Sequence, residues 1–527
     1  VILILAACST GTPTDEPAAP APAARPAVPE HVFPAPLVGE APDGPVPTGP
    51  DVVFVSIDTL RPDHLGAYGY ERPTSPFIDR LASDGVRFAH ARSPAPWTLP
   101  SHTTMLTGQL PTTHGVVEDT LKLSREVPVL PELLQAKGYT TAAAVSTLFV
   151  SSRYGFERGF QTFQDFGILH KKLNLAGLVE MDDVVDTLAT VVQAAPADRP
   201  LFLFLHTYDA HYAYDPPAPY STLFDRAPEP DDPRYRSYGY HRKNPLDADA
   251  MAHQVAQYDE SIRWIDAQLE RLDGLLRAAG RSPRWVITSD HGEEFGERGS
   301  WGHGHTLYAE QLRVPLIVSG PGLPSGRVVE EVVGLQDLAP TIAAWTGVEG
   351  LARPDGIDLT PYLAAGEPPA RPFLGETSRH RSLRFSLHEN GQRLEWDLRN
   401  QRLERFVDAA EEHPLPDDGM RERVLELLGK PWTAPVGGEL RVQRGVAGKT
   451  PFRARQAVRA NEAFAVFPLD ATFRLFGADG ELVGAGGLAA PDPAPFVWTG
   501  GPRPVPMTLD EDTKSALEAL GYVHDDE

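Results

Sequence analysis

Residues 51–58 read DVVFVSID. From Val52 to Ile57 the run is apolar and mostly β-branched, and it stops at an aspartate. Such side chains suit a pleated backbone, and no regular polar alternation interrupts them. The run therefore predicts a strand buried on both faces, as in a parallel sheet. Parallel neighbours need crossover connections, so helical patterns should follow between similar runs. They do. YTTAAAV at 139–145, PLFLFLHT at 200–207, RWVITSD at 284–290 and VPLIVSG at 314–320 read as further strands. TSPFIDRLASDG at 74–85 reads as a helix, with Thr74 or Ser75 as cap, Pro76 in the first turn and Gly85 at its end. LPELLQAKG at 130–138 and LQDLAPTIAAWTG at 335–347 are two more. Over residues 249–279, Tyr258, Ile262, Ile265, Leu269, Leu272 and Leu276 recur at helical spacing and predict a long amphipathic helix.

This alternation implies an α/β fold with a mostly parallel central sheet sandwiched by helices. In open sheets of this kind, sites form beyond the carboxyl ends of the strands. Asp58, Asp209 and Asp290 stand at such ends. Each alone also fits a helix cap or a turn. Each also lies beside histidines or hydroxyls, which favours a site.

From residue 366 the pattern changes. SLRFSLHENGQRLEWDL predicts antiparallel strands joined at Asn390-Gly391, short strand-like pieces follow at 439–498, and LDEDTKSALEALGY closes the chain as a helix. Four segments result: an apolar start at 1–8, a Pro/Ala-rich linker at 9–50, a main domain at 51–365 and a smaller C-terminal α+β domain at 366–527. The apolar VILILAACS resembles the lipobox of bacterial lipoproteins, with Cys8 as the acylated residue. The resemblance implies a lipid anchor and an extracytoplasmic location; Ser9, in place of Asp, favours the outer membrane. The linker cannot pack a core and tends to extend, as a spacer would. Cys8 is the only cysteine of 527 residues, so no intrachain disulfide forms. A net charge of −24 argues against a nucleic-acid partner, which would call for a basic face.

Four constellations carry candidate chemistry: VSIDTLRPDHLGAYGY at 55–70, PWTLPSHTTMLTG at 96–108, HTYDAHYAYDPP at 206–217 and TSDHGEEFGERGSWGHGH at 288–305. Carboxylates and imidazoles together suit a divalent metal. In this order, the four resemble the sulfatase family of the alkaline-phosphatase superfamily over residues 51–350, and PSHTTMLTG with SDHGEEFG is the specific part. YDESIRWIDAQLERL and GLQDLAPTIAAWTG extend the resemblance.

The resemblance implies that Asp58, Asp290 and His291 hold a cation with Thr98 facing it. The second Asp usual in the family is Thr59 here, and His291 stands for Asn. Both changes move the site from calcium towards Zn²⁺ or Mn²⁺, with Ca²⁺ still an option. His211 and His303 match positions that line the same pocket, where in phosphate-transferring relatives such histidines bind phosphate or a second zinc. One or two ions are therefore expected. His102 replaces the usual Arg after Pro-Ser, and with His305 it joins His211 and His303 as a substrate-binding candidate; Asp209 is a candidate helper. The Lys-x-x-His element that binds sulfate in the family is missing from AAAVSTLFVSSRYGF.

Thr98 is the decisive departure. The family keeps a Cys or Ser there, which is oxidised to formylglycine. A threonine carries a Cβ methyl and can give a ketone but not that aldehyde. It has one hydroxyl, so a sulfated Thr98 has no elimination path, whereas a phosphorylated one is resolved by in-line attack at phosphorus. Threonine is also the nucleophile in nucleotide pyrophosphatase/phosphodiesterases and phosphoethanolamine transferases of the superfamily. A helix expected to start near Pro100 would aim its positive end at the developing charge.

Three readings follow. The first is a metal-dependent hydrolase of phosphate mono- or diesters, with Thr98 as nucleophile and His211 and His303 as catalytic partners. The second is a sulfuric ester hydrolase of the arylsulfatase type. The third is a non-catalytic surface lipoprotein that binds a sulfated or phosphorylated glycan. In each, the partner is a small-molecule or glycan ester and the membrane is reached through the lipid anchor.

Overall fold

A computed structural model describes residues 37–38, 46–166, 179–225, 246–352, 354–377, 379, 384–389 and 392–397, and after these only strand segments between 402 and 507. Cys8 and the expected closing helix lie outside the described residues.

The central sheet has nine strands. In chain order they are β1 (Leu37–Val38), β2 (Val52–Ile57), β3 (Gly85–Phe88), β4 (Thr140–Val145), β5 (Thr162–Gln164), β6 (Leu201–Thr207), β7 (Arg284–Thr288), β8 (Leu316–Ser319) and β9 (Arg327–Val329). Their spatial order is β1-β5-β4-β6-β2-β7-β8-β3-β9. From β5 to β7 every pairing is parallel. The opening strand β2 lies inside this block, paired with β6 through Val52↔Phe202 and with β7 through Val52↔Arg284. All six of its residues are buried.

Strand alternation divides the core into two layers. Val52 and Phe54 face one cluster, which holds residues of α2 (Thr98–Thr107), α3 (Leu130–Lys137) and α6 (Leu338–Thr346). Val53, Val55 and Ile57 face the other, built with α1 (Pro76–Ser83), α4 (Met181–Ala194) and α5 (Ala248–Ala278). All six spaced residues predicted for α5, from Tyr258 to Leu276, are buried at 0% exposure. Asp247 caps α5 by accepting from Ala250 N at 2.9 Å. No described helix is long and apolar enough to cross a membrane.

Three expectations differ in detail. Neither Thr74 nor Ser75 caps α1; Asp266 of α5 accepts from Phe77 N and Ile78 N at 3.0 and 2.9 Å. Gly85 does not end α1 but opens β3, where a Cβ would stand 2.3 Å from the Val318 carbonyl oxygen. Strand β8 runs antiparallel to both β7 and β3. The chain between β7 and β8 loops out at the sheet end and returns, so no crossover helix reverses it.

Beyond α6, β10 (Phe373–Thr377), β11 (Arg384–Glu389), β12 (Gln392–Asp397), β13 (Arg402–Phe406) and β14 (Pro414–Leu415) form an antiparallel sheet in sequence order. Glu389 pairs with Gln392, so the hairpin turns on residues 390–391 as predicted. Leu374, Phe385, Leu387 and Leu394 join the first core cluster, which seats this sheet on the main domain. Four more antiparallel strands, 438–444, 452–458, 472–477 and 482–487, form a separate sheet.

Candidate active site

Strands β2 and β7 end side by side and deliver Asp58 and Asp290 to one place. Their backbone surroundings fix them. Asp290 Oδ1 accepts from His291 N at 2.9 Å and Thr59 N at 3.3 Å. Thr59 reaches that position in the left-handed region, φ 58°, a conformation costing roughly 1–3 kcal/mol for such a residue. Its hydroxyl turns away and donates to Ala210 O at 2.6 Å. At the family's second aspartate position this chain thus uses a backbone amide. Tyr258 of α5 holds the turn, donating to Thr59 O at 2.9 Å and accepting from Arg61 N at 2.8 Å.

Thr98 is the first residue of α2, two positions earlier than the expected start at Pro100. Ser101 pins the helix to the β7 loop by donating to Asp290 O at 2.7 Å. Trp97 provides no side-chain cap, so the first amides of α2 add positive potential beside Thr98. His291 donates through Nδ1 to Gly292 O at 3.0 Å, which leaves its lone pair on Nε2. That atom lies 3.4 Å from Thr98 Oγ1, 3.3 Å from Asp290 Oδ2 and 3.5 Å from Asp58 Oδ1.

Asp58 Oδ1 and Asp290 Oδ2 are buried and have no hydrogen-bond partner. Burial pushes both carboxyls well above the usual carboxylate range; Glu293 adds to this for Asp58, and Asp58 itself for Asp290. Burial holds the His291 imidazole well below its ordinary value. Two orphaned carboxylate oxygens and one imidazole nitrogen within 4.8 Å of one another are the donor set of a divalent cation, and Asp58, Asp290 and His291 fit one.

His303 and His211 border this centre. The His303 ring lies 4.2 Å from that of His291 and 5.0 Å from that of His211, centroid to centroid. Glu293 Oε1 holds His303 Nδ1 at 2.9 Å. His211 donates through Nδ1 to Tyr212 O at 2.7 Å, meets the Tyr208 hydroxyl through Nε2 at 2.9 Å and stacks on that ring at 3.9 Å.

Three other candidates stand elsewhere. His102 donates through Nδ1 to Thr98 O at 2.9 Å and accepts from Ser56 Oγ on Nε2 at 2.9 Å. Both nitrogens are used inside the protein, so His102 stands behind Thr98 and holds its backbone, whereas the sequence placed it among the substrate-binding candidates. His305 bonds to Ser300 Oγ at 2.9 Å and to His303 O at 3.0 Å, and so supports the His303 loop. Asp209 accepts from Met181 N at 3.1 Å and Trp264 Nε1 at 3.0 Å, and so secures the start of α4.

Two participants escaped the sequence reading. His206 of β6 reaches Asp58 Oδ2 through Nε2 at 3.2 Å, and burial lowers its pKa to about 3. With His102 and Asp290 it forms a second buried group of ligand-type atoms within 4.8 Å. Glu293, buried at 0% exposure, orients His303. The only available signal was their place in the quoted motifs: His206 sits in an apolar strand, and Glu293 lies two residues after His291.

A buried nucleophile-type hydroxyl, a cation-binding trio and flanking histidines at the carboxyl edge of an α/β sheet define a metal-dependent ester hydrolase. Comparison with known proteins gives the family. The sequence profile described as Sulfatase matches residues 50–348. The chain belongs to the sulfatase family and is a hydrolase of ester bonds. It is 25% identical over 384 residues to an arylsulfatase of Clostridium perfringens, covering 59% of this chain and 78% of that protein. It is 22% identical over 404 residues to an N-acetylglucosamine-6-O-sulfatase of Bacteroides thetaiotaomicron, covering 61% and 72%. Among solved structures, a phosphonate monoester hydrolase of Agrobacterium radiobacter superposes with a TM-score of 0.59 at 18% identity, covering 72% of this chain and 95% of that one. That likeness concerns the fold.

Proposed function

We propose that this protein hydrolyses phosphorus esters, phosphate mono- or diesters of small molecules or glycans, with Thr98 Oγ1 as the nucleophile. The carrying observation is the pairing of a threonine with the cation trio: Thr98 Oγ1 lies 3.4 Å from His291 Nε2, which itself lies 3.3 Å from Asp290 Oδ2 and 3.5 Å from Asp58 Oδ1. A threonine cannot become formylglycine, and the elimination that releases sulfate from that group is closed to it. Attack at phosphorus needs only one hydroxyl.

Asp58, Asp290 and His291 would hold a divalent cation, which when bound would supply Lewis-acid charge favouring the Thr98 alkoxide. The imidazole in this trio supports Zn²⁺ or Mn²⁺ over Ca²⁺. In the first step the Oγ1–P bond forms and the P–O bond to the leaving alcohol breaks. The Thr98 proton is taken up by solvent water, and the His303–Glu293 pair delivers a proton to the departing alkoxide and regains one from solvent. In the second step water attacks the phosphothreonine, the Oγ1–P bond breaks, and Thr98 recovers its proton. His211, fixed by Tyr208 and Tyr212, borders the transferred group. His102 and Ser56 hold the α2 backbone while this happens. The lipobox and linker suit a protein tethered outside the cytoplasm and facing such a substrate there.

The test is a parallel assay of p-nitrophenyl phosphate, bis-p-nitrophenyl phosphate, phenylphosphonate ester and p-nitrophenyl sulfate in the presence of Zn²⁺, Mn²⁺ or Ca²⁺. Wild type should turn over a phosphorus ester. Thr98→Ala should lose at least about 10³-fold in kcat. Acid quenching during turnover should leave phosphate on the peptide that contains Thr98. The sulfatase relatives favour a second reading, sulfuric ester hydrolysis; sulfate turnover that depends on Thr98, without phosphorus turnover, would establish it and overturn the first.

A further inference from the structure

We propose that Arg379, from beyond the family-matched residues 50–348, supplies the guanidinium that grips the anionic group of the substrate. The proposal rests on the reading of the site as one that processes an anionic ester, and adds the residue that recognises the charge.

The need for such a residue is visible in the site. The family's arginine after Pro-Ser is His102 here, and both its nitrogens are used inside the protein. The family's Lys-x-x-His element is missing. His211 donates its Nδ1 proton to a backbone carbonyl and meets a tyrosine hydroxyl through Nε2, the pattern of a neutral ring. A guanidinium, by contrast, is charged at every working pH and offers a planar fork of donors matched to two oxygens of one anion.

Position supplies the rest. Strand β10 ends against the nucleophile loop, where Glu376 N donates to Pro94 O at 2.8 Å. The next residue, Thr377, donates through its hydroxyl to Gly304 O at 3.1 Å, and Gly304 adjoins His303. Arg379 N then donates to Thr377 Oγ1 at 3.3 Å. The segment is thus tied to both loops that carry the site. The Arg379 guanidinium carbon lies 4.2 Å over the ring of Trp97, the residue before Thr98, and 5.1 Å over Phe149. Stacking on an aromatic face holds the plane still and leaves the donor edges to point sideways. Arg379 is 8% exposed. A buried guanidinium held between the nucleophile loop and the His211–His303 side can donate two hydrogen bonds to the non-bridging oxygens of a phosphoryl or sulfuryl group.

The test uses inorganic phosphate and, separately, sulfate as probes, titrated calorimetrically into the metal-loaded full chain. Arg379→Met should weaken the tighter-bound anion at least about tenfold, in keeping with a charge-assisted hydrogen bond. Arg379→Lys keeps the charge but not the fork, and should lie between the two while metal content and melting temperature hold. On any ester that is turned over, KM should rise in the same order. Unchanged anion affinity in a folded Arg379→Met overturns the proposal. Should that variant not fold, unchanged affinity and KM in Arg379→Lys overturn it equally. Anion binding needs no turnover, so the two readings fail separately. Arg379-dependent phosphate binding without phosphorus-ester hydrolysis removes the proposed reaction and keeps the arginine. Thr98-dependent hydrolysis with Arg379-independent binding does the reverse.

Discussion

Asp58 and Asp209 leave neighbouring parallel strands, β2 and β6, at the same edge of the sheet, yet they meet opposite electrostatic surroundings. Asp209 is surrounded by donors: Met181 N, Trp264 Nε1 and the Thr207 hydroxyl at 2.5 Å. Nothing about it asks for a ligand. Asp58 has a histidine on Oδ2 and no hydrogen-bond partner on Oδ1, which faces a second carboxylate. Burial without donors is costly for a charge unless something else neutralises it. The difference shows that a carboxylate at a strand end is a site residue only when the surrounding chain withholds its donors. The same substitution at both positions should therefore have opposite consequences.

The largest effect belongs to Asp58→Asn. It removes one of the two charges that would hold the cation. Metal stoichiometry, read by elemental analysis, should fall well below wild type, and kcat/KM should drop by on the order of 10³-fold. The metal-free variant should melt no lower than the metal-free wild type, since a repelling buried pair has been relieved. A variant that keeps both its metal and its activity would erase the distinction between the two aspartates.

A smaller effect separates residues that touch substrate from those that position the nucleophile. His102 packs near Phe156 and Phe204, with ring centroids at 6.4 and 6.2 Å, so phenylalanine fits its place better than a polar residue. His102→Phe keeps that packing but abandons Thr98 O and Ser56 Oγ. Misplacing Thr98, the proposed nucleophile, should lower kcat about 10- to 100-fold with KM within about twofold. A shift confined to KM would return His102 to the substrate side.

Much of this architecture was legible because its signals are local. The buried run Val52–Ile57 and the 3.6-residue spacing of α5 are periodicities readable within one segment. Asp58 and Asp290 drew attention because they adjoin the ends of such runs, and the ligand set with His291 and Thr98 came from the resemblance of PSHTTMLTG and SDHGEEFG to the sulfatase motifs. What was not legible depends on partners far along the chain. Asp266 takes the capping role at α1 from Thr74 and Ser75, and no rule of local spacing announces it. Strand β8 has the composition of a parallel strand but runs the other way, because direction is set by the connection and not by the run. His102 looked like a ligand because a histidine in a motif usually reads as one. Only the Thr98 carbonyl and the Ser56 hydroxyl, met in three dimensions, reveal that both its nitrogens are spent. Arg379 lies in a segment with no motif at all.

The smallest expected effect gives the sharpest test of the opening comparison. Asp209→Asn is nearly isosteric, and its hydrogen bonds survive: the amide oxygen can accept from Met181 N and Trp264 Nε1, as Oδ1 does now, and the amide nitrogen can donate to the Thr207 hydroxyl. Burial raises the Asp209 pKa to about 6, against the hydrogen bonds from Thr207, Met181 and Trp264 that lower it. The folded chain thus holds this proton more tightly than the unfolded chain, whose value is near 3.9. The sign follows from linkage: the contribution of Asp209 is most favourable below about pH 4 and is lost as pH rises through about 6. Asparagine carries no such dependence. The variant should match wild type near pH 4 and exceed it near pH 7 by on the order of 1–3 kcal/mol in denaturant melts, while metal content and turnover stay at wild-type levels. If Asp209→Asn instead lost metal, the donors around Asp209 would have misled, and both strand ends would belong to one larger site.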